Sequence, residues 1–338
     1  MEQSRLRIFF RACGHLFVCI ILLVLVLWTV AALYFDIRVA WLRIPGIAVY
    51  LFALVAALVF FKGFWKRVAG CVACALVVML WWLSLKPSNY ADWQTDVSRT
   101  AWTEVNGNIV TIHDLRDCDY RAEFDYTCQW QTKQVNLDDL RGLDLFLDYW
   151  GSPWIAHTML SFDFGNGNYV PFSIEARKRV GQSYSAIRGF FRQFTLITVV
   201  STERDVVRLR TNYRKGEDLY LYHTTATIPF ARSLFLDYIG LADDLHDHTK
   251  WYNAITDNCT TQIFQLQAMR SQPWKLAILL NGKADEMSYK KGNLATDGMP
   301  FDELKRRAYI NPAAQAANDD PNFSARIRAG RPGFPLQR

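Results

Sequence analysis

The sequence predicts a mixed α+β domain held behind three membrane-spanning helices. Three observations predict it. Near the N-terminus, three long stretches lack Asp, Glu, Lys and Arg. Beyond them, short runs with strand-like alternation are separated by turn residues. Helical spacing then returns in segments of its own, the pattern of an antiparallel sheet with helices to one side.

The charge-free stretches are Ala12–Phe35, Ile44–Phe61 and Val68–Leu85. A helix needs about 20 apolar residues to cross a bilayer core, and about 17 suffice. The first stretch is too long for the apolar core of a signal peptide, and two more spans follow it. Their near-unbroken Val, Leu, Ala, Phe and Trp content leaves no polar stripe, which argues against a buried hairpin of soluble helices. Arg5, Arg7 and Arg11 precede the first span, and Lys62, Lys66 and Arg67 separate the second from the third. Lys and Arg favour the cytoplasmic side, so the N-terminus is inside and everything after Lys86 is outside. The expected location is a bacterial inner membrane, with the bulk of the chain periplasmic.

The net charge of +6 could suggest a nucleic-acid partner. Residues 1–85 account for all of it, with eight bases against two acids, and the rest of the chain is balanced. Topology explains that excess, and a nucleic-acid role is not expected. The chain therefore divides into an anchor (1–85), a linker (86–107), a periplasmic domain (108–310) and a C-terminal tail (311–338).

Within the periplasmic domain, Asn108–His113 and Arg121–Gln134 read as strands. Leu137–Tyr149 reads as a helix, with Leu140, Leu143 and Leu147 at helical spacing and Asn136 as cap. Ala156–Phe164 and Tyr169–Ile174 read as a hairpin around Gly165-Asn166-Gly167-Asn168. Arg188–Val200 and Asp205–Leu209 read as strands, and Leu219–His223 as a short helix or strand. Phe230–Leu241 and Thr256–Ala268 read as helices. The tail from Asn311 is rich in Pro, Ala, Gly and Asn and reads as poorly packed.

Seven cysteines are present. Cys13, Cys19, Cys71 and Cys74 lie in the spans and read as small apolar residues. Outside, Cys118 and Cys128 form a natural short-range pair in an oxidising compartment, which leaves Cys259 over. Cap-forming residues precede Cys259 in Asp257-Asn258-Cys259-Thr260-Thr261, and an apolar helix follows. A helix start stabilises a thiolate and offers N–H groups to an oxyanion. A buried structural thiol is the competing reading.

A nucleophilic thiol needs a base, and His157 at the start of a strand is the candidate. Ser173 and Glu175 share a face of the returning strand and could orient the imidazole. The bland reading of His157 is a half-buried strand residue. His246 and His248, with Asp243, Asp244 and Asp247, read as a solvated turn rather than a metal cluster. Arg204, Asp205, Arg208 and Arg210 read as surface or sheet-edge ion pairs. No cofactor or metal is expected.

Together, His157-Thr158-x-x-Ser161-Phe162-x-Phe164, Ser173-Ile174-Glu175-Ala176-Arg177-Lys178, Glu203-Arg204-Asp205 with Leu209-Arg210, and Tyr252-Asn253 with Asn258-Cys259-Thr260-Thr261 resemble the Lnb-type N-terminal periplasmic domain family. The resemblance covers most of Asn108–Arg270. It implies acyl transfer within lipoproteins, from a glyceryl group to the amino group of an N-terminal cysteine. The Asn-Cys pair at a helix start is also similar to the lecithin–retinol acyltransferase group, which implies a permuted NlpC/P60-like, papain-type fold. Carried over, Cys259 matches the nucleophile and His157 the base, while Ser173 and Glu175 match motif positions. The partner implied is a membrane lipid or lipoprotein. A cysteine hydrolase acting on cell-envelope amides and a non-catalytic envelope domain are the alternatives.

Overall fold

The computed structural model describes residues 2–269 and 281–334. Residues 270–280 of the expected periplasmic domain and 335–338 of the expected tail lie outside the described residues. Two compact units emerge, one of residues 1–87 with 185–193 and one of residues 88–184 with 194–338.

The first unit contains α1 (Glu2–Asp36), α2 (Ala40–Phe60) and α3 (Phe64–Ser84). All three are long and apolar enough to cross a membrane, α1 from Phe9 onward. Val49, Phe52 and Phe60 remain exposed, as lipid-facing side chains would. Small residues let the helices approach. A Cβ added at Gly70 would meet the Phe61 ring at 2.7 Å and the Ala57 Cβ at 3.0 Å.

The second unit holds two antiparallel sheets. β1 (Trp102–Asn106), β2 (Ile109–Ala122) and β3 (Asp125–Asn136) form a three-stranded meander. β1 lies in the stretch read as a linker. Cys118 and Cys128 face each other across β2 and β3 and are joined by a disulfide. The larger sheet contains β4 (Gly142–Trp150), β5 (Ala156–Asp163), β6 (Tyr169–Arg177), β7 (Thr195–Val200) and β8 (Glu217–His223), in the order β7-β6-β5-β4-β8. The α+β class holds: three apolar helices, then antiparallel sheets packed with helices.

Four local expectations change. Leu137–Tyr149 is not a helix. Asn136 does accept a hydrogen bond from the Asp138 N–H, but the turn it caps ends at Asp139 and β4 follows. A spacing of four fits helix and strand alike; Leu145 and Tyr149 complete the period of two beside Leu143 and Leu147. Asp205–Leu209 is not a strand but part of α4 (Glu203–Arg208), capped by the Thr202 hydroxyl on the Asp205 N–H at 3.2 Å. The β-branched pair Val206-Val207 misled, while the cap decided. A π-turn, Leu209–Tyr213, continues it. The strand expected over Arg188–Val200 begins only at Thr195.

The fourth change is the tail. After α5 (Ile228–Asp247), α6 (Cys259–Gln265), α7 (Ala284–Lys290) and α8 (Phe301–Ala308) come α9 (Asn311–Ala316) and α10 (Phe323–Arg328). Ile310, Ala314, Phe323 and Ile327 are buried against Phe146, Met159 and Val206. The polar composition concealed a few apolar anchors spaced one turn apart.

The five-stranded sheet thus has two covered faces. One presents Leu145, Leu147, Leu160, Phe162, Phe172 and Ile174 to Phe235, Tyr238 and Ile239 of α5. The other presents Phe146 and Met159 to α4, α9 and α10.

Candidate functional site

The second face also carries charge. The register of β4 on β5 sets Asp148 opposite His157. The register that pairs Met159 with Ser173 brings Glu175 to the level of His157. Asp148, His157 and Glu175 therefore form one row across three strands. Arg210, from the π-turn, spans the row: its Nη2 lies 2.8 Å from Glu175 Oε1 and its Nε 3.1 Å from Asp148 Oδ2.

His157 Nε2 lies 2.7 Å from Ser173 Oγ, and that hydroxyl donates to Glu175 Oε1 at 2.8 Å. A hydroxyl has one proton, and here it goes to the carboxylate. Nε2 must then carry the imidazole proton and donate to Oγ, leaving the Nδ1 lone pair as the basic nitrogen. Glu175 stays ionised. Burial works against its charge, but Arg210 and then His157 outweigh burial and hold its pKa well below the usual range. Burial, helped by Arg210, pushes His157 down to about 4, so the ring is neutral at physiological pH. Burial pushes Asp148 up to about 8, and Glu217 adds to the shift. Asp148 Oδ1 and Glu217 Oε2 are buried and meet no N–H donor, so a proton held between the two carboxyls satisfies both.

The same face holds a second network. Arg328 of α10 forms ion pairs with Asp144 at 2.7 Å and Glu203 at 2.6 Å. Ser161 donates to Glu203, and His223 Nδ1 lies 2.7 Å from Asp144. At its far edge Arg116 pairs with fully buried Asp205 at 2.7 Å. Arg208 and Arg210 are buried too. Of the residues read as surface or edge ion pairs, Arg204 and Arg208 reach the exposed Asp119, whereas the pairs of Asp205 and Arg210 are buried.

Cys259 is the first residue of α6 and is half-buried. Asn258 and Thr261 form a reciprocal cap: Asn258 Oδ1 accepts from the Thr261 N–H at 3.0 Å, and Thr261 Oγ1 from the Asn258 N–H at 2.8 Å. The thiol packs against the apolar face of the sheet. Tyr238 and Tyr252 feel it electrostatically: burial raises the pKa of Tyr238 first and the thiol second, while for Tyr252 burial and then Tyr184 come before the thiol. The Tyr252 hydroxyl lies 3.0 Å from that of Tyr184.

The structure brings together three of the four expected site residues, His157, Ser173 and Glu175. It presents the fourth differently. Cys259 adjoins the face bearing Phe162 and Phe172, whereas His157 points with Met159 and Ser161 to the other face. His157 lies at the end of the sheet that Trp251, in the segment leading to Cys259, also reaches. Trp251 bridges Thr195, where β7 begins, and His157 is the second residue of β5. His246 is half-buried beside Asp247, and His248 is exposed beside Asp244. Among the described residues no group of three His, Cys, Asp or Glu is arranged to hold a metal. Sequence reading missed Asp148, Glu217 and the buried role of Arg210. The available signal was two aspartates inside the run Leu143-Asp144-Leu145-Phe146-Leu147-Asp148.

No curated relative and no solved structure matches the chain. The model of the Lnb N-terminal periplasmic domain matches residues 126–287, which span β3 to α7 and include His157, Ser173, Glu175 and Cys259. Over residues 126–287, just under half of its length, the chain is similar to the Lnb N-terminal periplasmic domain family.

Proposed function

We propose that the chain is a membrane-anchored periplasmic thiol enzyme that transfers acyl groups on lipids or lipoproteins. The observation that carries this reading is the relay Glu175–Ser173–His157, which leaves imidazole Nδ1 basic, beside a capped α6 that begins with Cys259. The family match over the same residues supports it. On this reading the domain is a permuted NlpC/P60-like fold, with the thiol helix after the sheet.

The chemistry would run in two steps. The Cys259 sulfur attacks the ester carbonyl, and His157 takes the thiol proton. The tetrahedral intermediate expels the glyceryl oxygen, which receives that proton, leaving a thioester and an alcohol. An amine then attacks the thioester carbonyl and gives an amide, and Cys259 regains its proton through His157. Water in place of the amine would make the same site a hydrolase.

The test is mass spectrometry of Cys259 after incubation with phospholipid or a diacylated lipoprotein. A thioester-linked acyl group, absent from Cys259→Ala and scarce in His157→Ala, is expected. An unmodified thiol in a chain that still turns over substrate as Cys259→Ala sinks the reading. A second reading, Cys259 as a packing residue of a non-catalytic envelope domain, draws on one observation: thiol and imidazole are presented from opposite faces of the sheet.

A further inference from the structure

β6 and β7 are antiparallel neighbours, and a hairpin between them needs only about 2–5 residues. The chain instead uses 178–194. Residues 185–193 of this connection form one compact unit with the membrane-spanning helices.

Their attachment is specific. Gln193 Nε2 donates to the Phe35 carbonyl and to Asp36 Oδ1, each at 2.7 Å. The Arg192 N–H donates to Asp36 Oδ2 at 3.3 Å, and its guanidinium to the carbonyls of Leu83 and Leu85. That guanidinium also lies over the Trp82 ring, 4.2 Å from its centre, and the Phe191 ring meets Phe35 at 5.0 Å. Phe35 and Asp36 end α1; Leu83 and Leu85 flank the end of α3. With the N-terminus inside, both helix ends are outer ends. The segment is therefore pinned at the depth where hydrocarbon gives way to headgroups.

What the segment exposes there is apolar. Phe191 is buried, but Ile187 is 63% and Phe190 39% exposed. The 3-10 turn Arg188–Phe190 is closed by the Phe190 N–H on the Ile187 carbonyl at 3.2 Å. Residues three apart eclipse one another in such a turn, so Ile187 and Phe190 form one apolar edge with Arg188 between them. Water would penalise that edge and acyl chains would not.

We propose that residues 185–191 are an interfacial loop seated among outer-leaflet phospholipids. Ile187 and Phe190 lie among acyl chains, and Arg188 lies at the level of the phosphates. The spans hold the loop at fixed depth. This holds whether or not Cys259 is a nucleophile.

The experiment uses the full chain in nanodiscs of phosphatidylethanolamine and phosphatidylglycerol. Benzoylphenylalanine is placed at Ile187, at Phe190 and, for comparison, at Phe124, which is exposed in the β2–β3 turn. Irradiation should give adducts of phospholipid mass at Ile187 and Phe190 and none at Phe124. Equal yields at the three positions, or protein adducts alone at Ile187 and Phe190, overturn the proposal. As a second measurement, trifluoromethylphenylalanine at Phe190 should show a fluorine signal broadened by a nitroxide-bearing phospholipid and spared by a water-soluble gadolinium chelate. The reverse pattern overturns it as well.

Discussion

The two faces of the five-stranded sheet are made by the same strands, one residue out of step. Phe162, Phe172 and Ile174 meet α5 and α6 without a charged side chain among them. Their neighbours Ser161 and Glu175, with Asp144 of β4, meet α4, the π-turn and α10 through hydrogen bonds and ion pairs. The first face is held by packing, where a loss is a cavity. The second is held by mutual satisfaction of polar groups, where a loss leaves a partner stranded. The face that could host proton transfer is also the one whose stability should respond to pH.

The largest test of this contrast is Arg328→Ala. It strands Asp144 and Glu203 together, and breaking a buried ion pair costs about 3–5 kcal/mol. Denaturant unfolding of the chain in detergent should show it, and a loss under about 1 kcal/mol would mean that the tail does not hold the face. Arg204→Ala, at a partly exposed site, should change stability little.

Next comes pH. Asp148 is held protonated, at about 8, whereas the unfolded carboxyl ionises near 4. A raised pKa gives stability that is complete below the unfolded value and is lost as pH rises toward the folded one. His157, lowered to about 4, acts in the opposite sense: its neutral form costs stability as pH falls from about 6.5 to 4. Asp148→Asn should therefore become more stable relative to wild type as pH rises from about 4 to 8, by at most about 1.4 kcal/mol per unit. Unfolding midpoints across that range check the sign, and a flat difference would count against the Asp148–Glu217 proton.

Two adjacent residues sharpen the comparison further. Ser173→Ala removes the link between His157 and Glu175, and leaving buried polar groups unpaired costs about 1–3 kcal/mol. Ile174→Val, one residue on and facing α5, removes a single methylene and should cost about 0.5–1.5 kcal/mol. Parallel unfolding curves of the two variants report the order.

Much of this could be read in the sequence, for reasons that separate cleanly. Spans and orientation depend on long runs and on where Lys and Arg fall, and both signals are local. The hairpin around Gly165–Asn168 and the cap at Asn258 are local too. Ser173 and Glu175 are legible because they sit two residues apart on one face of the strand that returns beside His157. The rest was set by tertiary burial. β4 looked helical because Leu143 and Leu147 satisfy both periods, and only a strand buried on both faces gives Asp144 and Asp148 partners. Arg210 reads as surface charge and Arg328 as part of a poorly packed tail because their acids lie far away in sequence. Which face Cys259 adjoins depends on how α6 docks, and no spacing within residues 251–265 encodes that.

The central claim is that Cys259 and His157 act as a pair across the rim of the sheet. Peptide-resolved alkylation of Cys259 by iodoacetamide, followed against pH in wild type and in His157→Gln, tests it most directly. A working pair predicts that His157→Gln slows alkylation near neutral pH and moves the inflection toward that of an ordinary thiol. Superimposable profiles would contradict it and leave Cys259 as a packing residue.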